Sequence, residues 1–145
     1  MPVTPHGPYH RDEVDARLVA CLRAASGGPA PEGLRQWSAE TWRKIARRAG
    51  RQRIAPLIFR WIKTVAGDQS IPQKAIAELR SAYLETSAQN TRLRHQLGQV
   101  LDVLGKQGIA VSPIKGAHLA EGYYADIALR PMGDIDLLVH KADVK

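Results

Sequence analysis

A single cysteine, Cys21, stands among the 145 residues, so no disulfide can close within the chain and a reducing cytoplasm is its expected home. Cys21 follows Leu18 by three on an apolar helical stripe, which reads as a buried thiol rather than a nucleophile. Long apolar runs are missing too. The longest, residues 54–59, falls far short of a bilayer span, and the opening MPVTPHGPYH has no apolar h-region; neither a membrane segment nor a signal peptide is expected. His6, His10, His95 and His140 share no spacing with one another or with the cysteine, which argues against zinc. Internal repeats are absent, as is low complexity beyond short linkers.

Acidic side chains are scarce in one place. Residues 34–63 carry Arg35, Arg43, Lys44, Arg47, Arg48, Arg51, Arg53, Arg60 and Lys63 against Glu40 alone, so the net charge of +7 is local to this stretch. Such a patch suits a polyanion or an acidic protein surface. Arg43, Arg47 and Arg51 recur every four residues opposite Trp42, Ile45 and Ala49, which predicts an exposed basic stripe.

What is present is an ordinary globular composition, 44% apolar and 24% charged, enough for one domain with a sizeable core. Residues 1–10, rich in proline, read as a loose tail. Val14, Leu18, Cys21, Leu22 and Ala25 predict an amphipathic helix over 12–25, ended by the Gly27-Gly28-Pro29 linker. Ser38 is a good N-cap for a helix ended by Gly50, and Pro56 suits the first turn of a third, with Leu57, Ile58, Trp61, Ile62 and Val65 apolar. Residues 67–70 read as a loop. From Pro72 a long helix follows, its seam running Ile76, Leu79, Tyr83, Thr86, Asn90, Leu93, Leu97, Val100 and Leu104. Thr86 and Asn90 interrupt that seam, either as a polar bend or break into two helices, or as a window on a substrate cleft. Trp42 and Trp61 suit helix packing; Trp37, beside Arg35, is open between packing and base stacking.

The chemistry concentrates near the end. Residues 108–114 read as a strand, Gly116 as a turn before a helix over 117–124, and residues 134–139 as a second strand in which Ile135, Leu137 and Val139 alternate with Asp134, Asp136 and Leu138. Alternation puts Asp134 and Asp136 on one face. Two carboxylates on an otherwise apolar strand need a cation, and hard carboxylate oxygens suit Mg²⁺ or Mn²⁺ together with waters and phosphates. Gly116 allows a phosphate close to the backbone at a helix N-terminus.

Strand, glycine turn, helix and Asp-x-Asp strand resemble the DNA polymerase β-type nucleotidyltransferase fold. More closely, KGAHLAEGYYADIALRPMGDIDLLV resembles a family of uncharacterised bacterial nucleotidyltransferases, whose signature is Lys-Gly, a short helix, Arg-Pro-Met and Asp-Ile-Asp-Leu-Leu-Val; the match covers residues 114–139. The resemblance implies an α+β fold: a helical N-terminal region over 11–107, then the β-α-β first half of a nucleotidyltransferase core over 108–145. It implies metal-dependent transfer of a nucleotidyl group from an NTP to a protein, RNA or small-molecule acceptor. Asp134 and Asp136 would be the catalytic metal ligands, and Lys115, Gly116, Ala117 and Arg130 the nucleotide-binding residues. Lys115 is open between phosphate contact and solvation of the strand edge; Arg130 is open between clamping the triphosphate and pairing with Asp134 or Asp136. Catalysis by His118, at the helix start, departs from the family pattern, and Asp126 reads as solvated surface.

Two further departures bear on activity. Ala117 stands where the wider pattern has a serine after the glycine, and the third carboxylate of that fold has no counterpart: Asp143 lies too far along the chain, in what reads as the opening of another helix. The chain is therefore expected to be the N-terminal part of a longer pattern and a poor catalyst by itself. The alternative is a non-catalytic fragment that binds nucleotide, RNA or protein through the basic helices of residues 38–63.

Overall fold

A computed structural model describes residues 12–64 and 70–144. The expected tail over 1–10, Val65 and most of the 67–70 loop lie outside the described residues. Four helices come first: α1 (Glu13–Ala25), α2 (Ala39–Arg51), α3 (Ala55–Thr64) and α4 (Gln73–Lys106). Then follow strand β1 (Val111–Ile114), helix α5 (Lys115–Gly122) and strand β2 (Asp136–Val139), with short 3₁₀ turns at Leu34–Gln36, Ile127–Leu129 and Lys141–Asp143. The protein is thus α+β and mostly helical.

Local chemistry explains the helix starts. Asp12 caps α1, its carboxylate accepting from the Asp15 N–H at 2.8 Å, and Ser38 caps α2, accepting from the Thr41 N–H at 3.1 Å. Each satisfies one backbone donor that the first helical turn leaves without a partner. Pro56 sits in the first turn of α3, where its missing N–H costs nothing. The apolar stripes meet in one core: Leu18 and Cys21 from α1, Trp42, Ile45 and Ala49 from α2, Ile58, Trp61 and Ile62 from α3, and Ala75 and Leu79 from α4. Cys21 is fully enclosed there, and burial pushes its thiol up to about 12. It is a packing residue.

Helix α4 is one continuous helix of 34 residues, so the polar residues at its middle do not split it. Its N-terminal half belongs to the main core. Leu93, farther along, joins a second, smaller cluster with Ala120 and Met132, against which Ile135 packs. The apolar seam outruns its burial: Val100 is 39% exposed. Among the described residues the seam is only partly covered there, although the periodicity still formed the helix. Gly108, at φ +71°, closes α4 by adopting the left-handed conformation that glycine reaches freely.

The strands are shorter than their sequence patterns. Strand β1 begins at Val111 rather than 108, and β2 begins at Asp136, leaving Asp134 just before it. They pair antiparallel, with Val111 opposite Val139 and Ile114 opposite Asp136, as a two-stranded sheet. The alternation survives: Leu138 is 60% exposed while its neighbours Leu137 and Val139 are half-buried. Residues 141–143, expected to open a helix, make a single 3₁₀ turn capped by His140, whose Nδ1 accepts from the Ala142 N–H at 3.3 Å.

Candidate functional site

The loop leading to the two aspartates is pinned to α4 by polar side chains. Asn90 is completely buried. Its amide nitrogen donates to the carbonyls of Ile127, at 2.5 Å, and Arg130, at 2.8 Å. Its amide oxygen accepts from the Met132 N–H at 3.2 Å. One side chain thereby satisfies three backbone groups of the Arg-Pro-Met loop that have left water. Seven residues earlier, two turns along the same helix, Tyr83 donates its hydroxyl to Asp126 at 2.5 Å. That bond, aided by burial, raises the tyrosine's pKa. Asp126 also accepts from the Ala128 N–H at 2.9 Å and caps the 3₁₀ turn. The expectation of a solvated Asp126 is therefore corrected: it is half-buried and fastens the loop.

Across from this loop, β1 runs directly into α5. Lys115 makes the junction at φ +51°, a left-handed conformation uncommon for a residue with a β-carbon. Helix α5 begins there, two residues earlier than expected. Gly116 has a packing reason as well as its expected one: a β-carbon would meet Met132 Cγ at 3.2 Å. The Lys-Gly and Arg-Pro-Met segments of the signature are thus in contact. Ala117 is buried at 4% exposure, facing the cluster of Leu93, Ala120 and Met132. Its side chain contributes packing, which leaves only its backbone for a ligand.

These two segments bring Lys115 to Asp136, with Nζ 3.1 Å from Oδ1. The lysine is 70% exposed and the aspartate 32%. Of the two roles open for Arg130, pairing with the aspartates is not seen; its guanidinium instead donates to the Pro131 carbonyl at 3.0 Å. Asp134 is exposed and makes no side-chain hydrogen bond or ion pair among the described residues. Of the two aspartates, Asp134 is thus solvated and Asp136 is paired with one exposed lysine.

That donor set suits a hard divalent ion in part. Two carboxylates leave several coordination positions for water and phosphate, which is the usual arrangement for Mg²⁺. No group of three or more histidine, cysteine or acidic side chains that could hold a metal occurs among the described residues. Asp143 does not join the pair. His118, on the exposed side of α5, packs edge-on against Tyr123 with ring centroids 5.8 Å apart.

The basic stretch divides into paired and solvated side chains. Arg48 is consumed in tying α2 to α1, reaching Asp15 at 2.6 Å and Asp12 at 3.1 Å. Arg43 keeps a side chain 42% exposed but is paired with Glu40 at 2.5 Å, one turn back on the same helix. Lys44, Arg47, Arg51, Arg53, Arg60 and Lys63 are exposed. Trp37 is settled as a packing residue, its ring 5.4 Å from that of Trp42 and covered by the Arg17 guanidinium at 5.2 Å.

Asn90, Tyr83 and Met132 were not identified as site residues from the sequence. A signal existed for Asn90, the polar interruption of an apolar seam. No helix of the described residues is long and apolar enough to cross a membrane. No curated protein and no solved structure matches the chain. A family model described as uncharacterised nucleotidyltransferase matches residues 38–145, which takes in α2 through β2 and every residue of the site. The chain belongs to that nucleotidyltransferase family.

Proposed function

We propose that the chain binds an NTP with Mg²⁺ or Mn²⁺ at Asp134 and Asp136 and serves metal-dependent nucleotidyl transfer to an acceptor. The observation that carries this reading is the Asp136–Lys115 pair at the β1–α5 junction, beside a second, solvated aspartate. The order β1, α5, β2 also agrees with the first half of a polymerase β-type core. Asp134 and Asp136 would hold the metal. When bound, such an ion neutralises phosphate charge and lowers the pKa of an attacking hydroxyl. The ammonium of Lys115 is close enough to exchange its carboxylate partner for a phosphate oxygen, as a point charge on a long flexible stem. Gly116 and Ala117 would offer backbone N–H groups to the triphosphate, and Arg130 would add a guanidinium. With two carboxylates in hand, weak binding of Mg·NTP is the expected behaviour and transfer is expected to be slow.

Thermal unfolding checks this. A ligand at one hundred times its dissociation constant adds about 2.7 kcal/mol, equivalent to several degrees for a chain of this size. Mg²⁺ and NTP together should produce that rise, with either alone producing much less. Asp134→Asn and Asp136→Asn should remove most of it while unfolding normally without ligand. An unchanged rise in both variants would sink the assignment.

A second reading has its own observation, the six exposed cations of α2, α3 and the turn between them. They suit the phosphate backbone of a nucleic acid. On this reading, Arg47→Gln with Arg51→Gln should weaken RNA binding and flatten its dependence on salt by about two counterions. No RNA affinity at low salt would return these side chains to ordinary solvation.

A further inference from the structure

A cleft of about 260 Å³ opens between the α2–α3 turn, the polar middle of α4 and the Pro131-Met132 segment. We propose that this cleft is the nucleoside pocket of the NTP site, with Arg53 contacting the phosphate next to the nucleoside; the assignment rests on the metal–NTP reading of Asp134 and Asp136. Its size is that of a ligand fragment rather than of a whole drug-sized molecule. Ala82 and Pro131, both partly exposed, give it apolar surface, suited to the flat face of a base. Glu85 and Gln89 line it from α4. Their carboxylate and amide match the mixed donors and acceptors of a base edge.

Arg53 supplies the direction. It holds φ +58°, the other left-handed non-glycine residue of the structure besides Lys115 among the described residues. The turn is fixed by the Arg53 N–H to Gly50 and the Ile54 N–H to Ala49, both at 3.0 Å. Its guanidinium Nη1 lies 4.0 Å from where a β-carbon on Gly133 would be, and Asp134 follows immediately. The guanidinium makes no hydrogen bond or ion pair among the described residues. An exposed planar cation held in an unfavourable backbone conformation, between a base-sized cleft and an acidic pair, suits a phosphate that joins the two. A substrate joining phosphate to a flat group with a polar edge is a nucleotide. The polar interruption of the α4 seam then has two uses: Asn90 faces inward to the loop, while Glu85 and Gln89 face the cleft.

Calorimetric titration of the full chain with Mg·NTP, and separately with the matching nucleoside monophosphate, tests this. Arg53→Gly, which relieves the left-handed backbone and so should keep the fold, is expected to weaken both ligands about ten-fold. Gln89→Ala should weaken both as well. Asp136→Asn should weaken the triphosphate and leave the monophosphate within about two-fold. If Mg·NTP binds but Arg53→Gly and Gln89→Ala keep the original affinities, the cleft is not the nucleoside pocket, and the metal reading stands. If Mg·NTP fails to bind the unaltered chain, both assignments fall.

Discussion

Replacing Asn90 with leucine should cost about 4 kcal/mol of folding stability, since a buried polar group left without its partner costs about 1–3 kcal/mol and three are orphaned at once. The carbonyls of Ile127 and Arg130 and the N–H of Met132 all depend on this amide. Leucine has the same number and branching of side-chain heavy atoms and is bulkier, so the loss reports the hydrogen bonds and some overpacking rather than a cavity. A control sits one turn away: Thr86 donates only to the Ala82 carbonyl of its own helix, and Thr86→Val should cost less than about 1 kcal/mol. Urea denaturation, read as a change in midpoint at constant slope, distinguishes the two. Because the same loop carries Arg130 and leads to Asp134, Asn90→Leu should also weaken Mg·NTP binding under conditions where the variant remains folded. A loss of stability no greater than that of Thr86→Val would mean that Asn90 does not fasten the loop.

The helices were legible because their information is local. A 3.6-residue apolar period and an aspartate or serine cap lie within a few residues of the helix they specify, so α1 and α2 begin where Asp12 and Ser38 place them. What lies across the molecule was less legible. The seam of α4 reads the same at Leu79 and at Val100, yet one is enclosed and the other 39% exposed, because burial depends on which element packs there. Asp126 and Asn90 belong to the same class. Each is a polar residue whose partner is about forty positions away in sequence, and nothing local announces Tyr83 or the Arg-Pro-Met carbonyls as that partner.

At the site, the Asp-x-Asp pattern and the Lys-Gly turn were visible as a motif, and the structure brings Lys115 within 3.1 Å of Asp136. Which cation would meet the acidic pair was not visible. Arg130 was the candidate for that pairing, while Lys115 was open between phosphate contact and solvation of the strand edge; that Lys115 takes the role follows from the antiparallel register that sets Ile114 opposite Asp136. Gly116 shows a related ambiguity. The sequence assigns it to phosphate approach, while the 3.2 Å at which a β-carbon there would meet Met132 supplies a steric reason that operates with or without a ligand.

Asp136→Asn is expected to separate stability from binding. The ion pair with Lys115 is largely exposed on the lysine side, so its loss should change folding stability by less than about 1 kcal/mol. The same change removes one of two charged oxygen donors for the metal, and affinity for Mg·NTP should fall about 100-fold or more. A purely structural role for Asp136 would reverse the pattern, with stability falling and affinity following only as far as the folded fraction does.

Equilibrium titration of the full chain with NTP, with and without Mg²⁺, for the unaltered protein, Asp134→Asn and Asp136→Asn, tests the central claim most directly. The account predicts one NTP bound per chain in the presence of Mg²⁺, little without it, and a loss of that metal-dependent binding in both folded variants. Equal NTP affinity with and without Mg²⁺, or metal-dependent binding that survives both substitutions, would contradict it.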